Sequence, residues 1–521
     1  MKILLVYPEM PDTFYSFKNL TSVVGRKASF PPLGLLTVAA MLPTEWELKL
    51  VDTNVTVLKD EDINWADMVF LSAMNTQAKS VFEIIDKCKS LGATIVAGGP
   101  LFTHEHERFE SVDYFVLNEA EITLPLFLKD LENNKLKRIY SSKEFANVQE
   151  TPLPKWELIN INDYAYSIVQ YSRGCPYFCD FCDVTALFGR RPRVKTSEQI
   201  IGELDAILKN GNPGVVLFAD DNLIGNKGML KKDLLPKLIK WRDQNKYAPG
   251  FDTQVTINLS DDEELMQLMI EAGFRKLFIG IETLEDEALL YMKKKQNTKR
   301  NLLDTINRLH DKGFLIVGGF ILGLDTDTPA IFQNQIDFIN ESGMVLVSIN
   351  LLKAPIGTEL YDNMKKQGRL IRNLDFDENR SNIIHNMDED VLNDGYRKVI
   401  QNVYSAESVY RRAKVFLGNK KQIKVKNGVK RKVTFPEIIL GIRAAFILGL
   451  KDKNRYYFWA LFFWLLRNNR LRYLDLAVFF IALLYQYKMM WKRFEIRSEK
   501  QEEYSAGDKF IIKENQSVFE N

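Results

Sequence analysis

The chain has 521 residues, with 70 Lys+Arg against 68 Asp+Glu, and 46% of it is hydrophobic. That balance excludes a disordered or collagen-like chain. Four Cys in such a length exclude a disulfide scaffold and indicate a reduced, cytoplasmic protein. At about 150 residues per domain the length predicts roughly two to four domains. The N-terminus, Met-Lys-Ile-Leu-Leu-Val-Tyr-Pro, has too short an apolar run for a signal peptide and reads as a first strand. From residue 1 to 145, short β-rich runs at 3–7, 48–51, 68–72, 94–97 and 114–117 alternate with helical stretches. This predicts an α/β domain built on an open, mostly parallel sheet. Ligands of such folds sit at the carboxyl ends of the strands. The turns there are Pro31-Pro32-Leu33-Gly34, Ser72-Ala73-Met74-Asn75, Gly98-Gly99-Pro100 and Asn118-Glu119. Gly98-Gly99 either admits a bulky ligand close to the backbone or makes a tight turn.

A polar, proline-containing stretch, 146–164, reads as a linker. The β/α alternation resumes over 165–372, with strands at 168–171, 215–218, 276–281, 315–322 and 345–352 and helices at 198–209 and 261–272. Five or six such units predict a complete or partial βα barrel of the TIM type. Residues 373–521 read as a helical domain. Its longest apolar runs, 456–466 and 476–485, fall short of the ~20 residues that span a bilayer. Residues 411–500 hold 22 Lys+Arg against 5 Asp+Glu, so the rest of the chain is net acidic. The basic run Lys430-Arg431-Lys432 stands near the aromatic block Tyr456-Tyr457-Phe458-Trp459-Ala460-Leu461-Phe462-Phe463-Trp464. Aromatic faces flanked by cations fit an interfacial helix on anionic lipid. A buried helical core with a solvated basic rim is the alternative. Nucleic acid fits less well, because the aromatics cluster with Leu and Ile instead of standing singly.

Three of the four Cys fall within eight residues, in Arg173-Gly174-Cys175-Pro176-Tyr177-Phe178-Cys179-Asp180-Phe181-Cys182. They follow a predicted strand, on a loop at the ligand-binding end of the barrel. Structural zinc takes four protein ligands, and the remaining thiol, Cys88, lies in a helical segment of the N-terminal part. Three thiolates on one loop suit a 4Fe-4S cluster with one iron left open.

This CxxxCxxC, with Phe181 just before its third Cys, resembles the signature of radical S-adenosylmethionine (radical SAM) enzymes. The likeness continues at successive strand ends. Phe218-Ala219-Asp220-Asp221-Asn222 resembles the segment that holds the methionine amino group, and Gly280-Ile281-Glu282-Thr283 the one that approaches the adenosyl part. Gly319-Phe320-Ile321-Leu322-Gly323 is similar to the GxIxG strand beside the adenine. The acidic residue usual three places further on is here Thr326, flanked by Asp325 and Asp327. The resemblance therefore implies cluster ligands Cys175, Cys179 and Cys182, and S-adenosylmethionine contacts from Phe181, Asp220, Asp221, Glu282, Gly319 and Gly323.

The N-terminal part resembles the Rossmann-like cobalamin-binding domain that precedes the barrel in one branch of this family, with Ser72, Gly98, Gly99, Pro100 and Glu119 as implied contacts. The DxHxxG signal for a histidine on cobalt is absent. His104 and His106 follow the Gly-Gly-Pro turn and read as solvated surface residues. Phe30-Pro31-Pro32-Leu33-Gly34, Leu42-Pro43-Thr44-Glu45-Trp46 and Ala354-Pro355-Ile356-Gly357-Thr358-Glu359 resemble the hopanoid methylases and the tetraether-lipid ring synthases. This implies methylation of an unactivated carbon on a lipid-like substrate, with a flavodoxin- or ferredoxin-type electron donor and a peripheral place on the inner membrane face. Cyclisation or carbon–carbon coupling on a lipid is the alternative activity, and a non-catalytic membrane-associated binding protein the alternative class. Methylthiolation fits poorly, since that branch carries a second Cys trio. Tyr171 and Tyr177 stand near the cluster loop as hydrogen-atom donors by proximity alone, and packing is the expected role of both.

Overall fold

The computed structural model describes residues 1–12, 25–245, 247–371, 381–419, 453–470, 473–474, 476–484 and 486–487, with Thr21, Phe446, Gly449 and Leu450. The basic run 430–432 lies outside the described residues. The N-terminal sheet contains β1 (Lys2–Tyr7), β2 (Glu47–Asp52), β3 (Met68–Ser72), β4 (Ile95–Gly98), β5 (Tyr114–Val116) and β6 (Ile139–Tyr140). Its order is β2-β1-β3-β4-β5-β6, and every neighbouring pair is parallel. Strand β1 is an unbroken apolar run because both its faces are covered. Leu4 and Val6 enter one core with Val69, Leu71 and Ile95, while Ile3 and Leu5 enter the other with Phe70 and Val96. The winding reverses between β1 and β3, which opens a crevice at the carboxyl ends there.

Strand β7 (Tyr166–Val169) begins the second sheet and is followed by a small ribbon of β8 (Ser172–Arg173) and β9 (Arg193–Val194). The sheet continues through β10 (Val215–Phe218), β11 (Phe251–Gln254), β12 (Phe274–Glu282), β13 (Leu315–Leu322) and β14 (Leu346–Leu351). Its order simply follows the chain, all parallel, and β7 does not pair with β14. The barrel is therefore partial. Strand β11 escapes the sequence pattern because three of its four residues are polar, and two of these, Asp252 and Thr253, are buried. Asp252 is neutralised by Lys276 of β12 at 2.6 Å, and Lys276 also donates to the Tyr166 hydroxyl at 2.6 Å.

The 146–164 stretch joins the sheets and is itself packed: Trp156, Ile161 and Tyr164 are buried, and the Tyr164 hydroxyl donates to Asp52 at 2.9 Å. Helices Glu389–Val403, Ala406–Asn419 and Arg455–Arg467 extend the barrel's own core, through Val399, Val409, Phe416, Leu461 and Leu465. Among the described residues no helix is long and apolar enough to cross a membrane.

Candidate active site

The loop with the three cysteines is pinched at its base. Ser172–Arg173 pairs antiparallel with Arg193–Val194, so residues 174–192 leave and return at one point beside the end of β7. All four thiols are free, with Cys88 buried in its helix and the loop trio half-buried. Burial raises the pKa of all three, that of Cys182 up to about 12. Asn222 Nδ2 stands 4.0 Å from the Cys175 sulfur, and Gln296 Nε2 3.7 Å from that of Cys179. Among the described residues no three His, Cys, Asp or Glu side chains converge tightly enough for a single ion. A four-iron cluster separates its thiolates further than one ion does, so three free sulfurs on a pinned loop, two of them facing amide donors, fit it.

The carboxyl ends of β10, β12 and β13 surround this loop. Asp220 is fully buried and turned into the protein, accepting from the Tyr171 amide at 3.1 Å, the Ser172 amide at 2.5 Å and the Ser172 hydroxyl. The neighbouring Asp221 keeps a buried carboxylate oxygen without a partner, and burial, then Asp220, raises its pKa to about 7. The two adjacent aspartates thus differ: Asp220 holds the start of the cysteine loop, and Asp221 keeps one buried oxygen unpaired.

At the end of β12, Glu282 adopts φ +68° and its carboxylate pairs with buried Lys294. A Cβ on Gly280 would lie 2.2 Å from Glu282 Oε1, so only glycine lets the pair fold back under its own strand. The Lys294 ammonium also sits 5.7 Å over the Phe181 ring and bears electrostatically on Cys179 and Cys182. Asn297 fixes the same strand end by donating to the Gly280 and Ile281 carbonyls at 2.9 and 3.1 Å. On β13, Gly319 faces the Phe278 ring, and the Gly323 and Leu324 amides donate to Asp327 at 2.9 and 3.0 Å. Asp327 therefore caps the strand, while Asp325 pairs with Arg369 at 2.6 Å and Thr326 Oγ1 is buried without a partner.

In the N-terminal domain, Ser72, Gly98, Gly99 and Pro100 come together at the ends of β3 and β4. Gly99 has φ +91°, and a Cβ there would lie 2.7 Å from Ser72 Oγ and 3.2 Å from the Ala73 carbonyl. Glu119 stands at the next strand end, but its buried carboxylate is committed to the barrel. It accepts from Arg173 at 2.8 Å, from Arg193 at 2.9 and 3.0 Å, and from the Ala146 amide at 2.8 Å. Glu121 accepts from Arg173 as well, at 2.8 Å. The residue preceding Gly174-Cys175 thus bonds two carboxylates of the other domain. His104 is not the solvated residue expected. Helix Pro100–Glu105 turns it against Gly357 in the loop after β14, burial lowers its pKa, and its Nε2 is buried without a partner. His106 is half-buried too, with its Nδ1 unpartnered. Tyr171 is a core residue, and the Tyr177 hydroxyl accepts from Asn258 at 2.7 Å.

Residues 169–339 match the radical SAM superfamily, 22–128 a B12-binding domain and 358–501 a domain of unknown function, DUF4070. The chain belongs to the radical SAM methyltransferases that carry a B12-binding domain, and that membership brings a 4Fe-4S cluster, S-adenosylmethionine and cobalamin as cofactors. It is 38% identical to an uncharacterised methyltransferase of Synechocystis sp. over 74% of this chain and 71% of that one. It is 34% identical to the hopanoid C-2 methylase of Rhodopseudomonas palustris over 79% of this chain and 78% of the relative. Its fold is similar to the cobalamin-dependent radical enzyme OxsB, with TM-score 0.60 and 16% identity over 96% of this chain and 80% of OxsB. It is also similar to the methyltransferase TsrM of Kitasatospora setae, with TM-score 0.56 and 14% identity over 70% and 78%.

Lys294, Gln296, Asn222 and Arg173 are the site residues that sequence reasoning passed over. A donor to a cluster sulfur raises the reduction potential. Gln296→Leu is therefore expected to shift the midpoint potential downward at unchanged iron content, in a redox titration followed by electron paramagnetic resonance. An unchanged potential would show that the amide does not act on Cys179.

Proposed function

We propose that this enzyme methylates an unactivated carbon of a polycyclic, lipid-like molecule taken from an anionic membrane surface. When bound, the cluster and S-adenosylmethionine would supply the radical chemistry that removes a substrate hydrogen, and cobalamin the methyl group. The chain's own work is to hold these parts in line. Cys175, Cys179 and Cys182 would hold the cluster, with Asn222 and Gln296 donating to its sulfurs. The spare oxygen of Asp221 suits the ammonium of the methionine moiety, and a bound cation there would return the carboxyl to its charged form. Met292, Leu324, Leu352, Leu360 and Met364 line a small void beside Asp180 and keep that side of the loop dry. The N-terminal strand ends would hold the corrin.

The observation that carries this reading is Arg173. One side chain, next to the first cluster cysteine, ties the loop to the B12-binding domain and so fixes one reacting centre against the other. The lipid assignment is supported by the hopanoid relative and by helix Arg455–Arg467. There Phe458, Leu461 and Leu465 are buried, while Tyr456, Trp459, Phe463 and Leu466 form an exposed stripe at helical spacing, 38% to 73% exposed, with Arg455 and Arg467 at the helix ends. Such a stripe suits the boundary between headgroups and acyl chains, and by this reading the enzyme is peripheral to the inner membrane face.

One experiment tests both parts: anaerobic reconstitution with iron, sulfide and cobalamin, then incubation with S-adenosylmethionine, a reductant and a hopanoid in anionic vesicles. The expected result is 5′-deoxyadenosine together with a hopanoid heavier by one methylene, from protein that floats with the vesicles. A rearranged product of unchanged mass would point to cyclisation, and protein left in the soluble fraction at low salt would refute the membrane reading.

A further inference from the structure

We propose that the C-terminal helical region encloses one small monovalent anion, of the size of chloride, held by the guanidinium of Arg412. The site is separate from the barrel mouth and does not depend on the reading of the cofactors. Arg412 lies in helix Ala406–Asn419 and is 0% exposed, which places it with Trp156 among the largest side chains that are covered completely. Its Nη2 donates to the Val403 carbonyl at 2.5 Å, while its Nε and Nη1 are buried and have no partner. Gln486 is 0% exposed as well, and neither atom of its amide has a partner. The rings of Tyr404 and Tyr487 lie 4.4 Å apart, centroid to centroid, and both residues bear electrostatically on the guanidinium. Tyr487 directly follows Gln486, so the two unsatisfied side chains belong to one neighbourhood.

Buried water satisfies a lone amide but does not neutralise a charge. Burial lowers the pKa of Arg412 to about 10, so the group stays charged at neutral pH, and the other cation bearing on it, Arg411, has the same sign. Among the described residues no carboxylate pairs with it. Val403 ends helix Glu389–Val403, and a helix of this kind carries about half a negative charge at its carbonyl end. That offsets part of the guanidinium's charge and leaves the rest uncompensated in an apolar setting, where charges are as a rule paired. Three unpartnered nitrogen donors beside a net positive charge call for an anion. Its size follows from the packing. Val409 and Phe416 stand one turn before and after Arg412 on its helix, and with Phe480 and Leu483 they are 0 to 1% exposed. A monatomic ion fits such an enclosure, and a phosphate ester or an organic acid does not. The consequence is mechanical: the anion joins two helices to the segment that carries Gln486, at a point that Tyr404 ties to β14 by donating to the Val347 carbonyl at 3.0 Å.

The test is thermal unfolding of the full chain, reconstituted with its cofactors, in sodium chloride, sodium bromide and sodium gluconate at equal ionic strength, followed by circular dichroism. Arg412→Met is the matched variant, since a buried ionic site filled by an apolar side chain of like volume folds without loss. On passing from gluconate to chloride or bromide, the wild-type midpoint is expected to rise by a few degrees more than that of Arg412→Met, which reports the general salt effect alone. Wild-type crystals grown from bromide should show an anomalous peak within hydrogen-bond reach of Arg412, and this readout stands even if Arg412→Met does not fold. An equal change of midpoint in wild type and variant overturns the proposal, because the anion then acts elsewhere. So does density at Arg412 in the bromide crystal with no anomalous signal, which assigns the space to water.

Discussion

Cys179→Ala is expected to lose the cluster and, with it, 5′-deoxyadenosine formation. Cys179 is half-buried on a loop held at its base by the Ser172–Arg173 ribbon, and no fifth thiol is present to replace it. Loss of a direct ligand should exceed the about 10- to 100-fold that removal of an outer partner costs. Iron analysis and chromatographic assay of 5′-deoxyadenosine measure the two effects separately. Cys88→Ala is the matched control. That thiol packs inside helix Ala78–Ser90 with Val81 and Ile84, so its loss should lower stability slightly and leave iron uptake unchanged. If Cys179→Ala retains iron and product, the triad does not hold the cluster.

The second large effect is expected from Arg173→Ala. Arg173 is 14% exposed and bonds Glu119 and Glu121, themselves 3% and 10% exposed. Removing it leaves Glu121 with the Thr151 hydroxyl but no cation and strips one of the two arginines from Glu119. Breaking a buried pair in this way costs about 3–5 kcal/mol. The two domains should then unfold in separate steps where the wild type unfolds in one, as read by urea titration with tryptophan fluorescence and circular dichroism together. Burial alone would raise the Glu121 pKa, yet the hydrogen bond and charge of Arg173 outweigh it and hold the carboxyl below its usual range. A carboxyl depressed in the folded state stabilises above its unfolded pKa and ceases to do so as pH falls through the folded value. The gap between wild type and variant should therefore close as the solution is made acid. A gap independent of pH would mean that Arg173 acts through packing alone.

Much of this architecture is legible in the sequence, and the exceptions have a common cause. Strands β3, β10 and β13 are apolar runs between turns, and the structure places them at the predicted residues. Strand β11 and the two-residue β6 carry no such run: one is polar at three of its four residues, and the other borrows its regularity from β5. The cysteine trio announces itself because Cys is scarce elsewhere. Lys294 does not, because Met292-Lys293-Lys294-Lys295-Gln296-Asn297 reads as a solvated basic run, and only the fold of β12 places the middle lysine beneath the loop. The roles of Asp220 and Asp221 depend likewise on a one-residue change of direction at a strand end. His104 reads as exposed because the barrel loop that covers it comes some 250 residues later, with Gly357. The aromatic block 456–464 is apolar nearly all round, so its split into a buried and an exposed face is set by which side finds helix Ala406–Asn419.

The Glu119–Arg173 pair also orders events in time. Its partners lie 54 residues apart, and the carboxylate comes from the domain made first. During synthesis the N-terminal sheet can close before the cysteine loop leaves the ribosome, since domains generally fold as units in that order. The loop then emerges onto a finished anchor, is fixed at Arg173 and Arg193, and awaits iron already shaped. Under the proposed cluster assignment, maturation of this enzyme would be insertion of a cluster into a built socket, and a chain whose first domain misfolds would present its three thiols on an untethered loop open to oxidation.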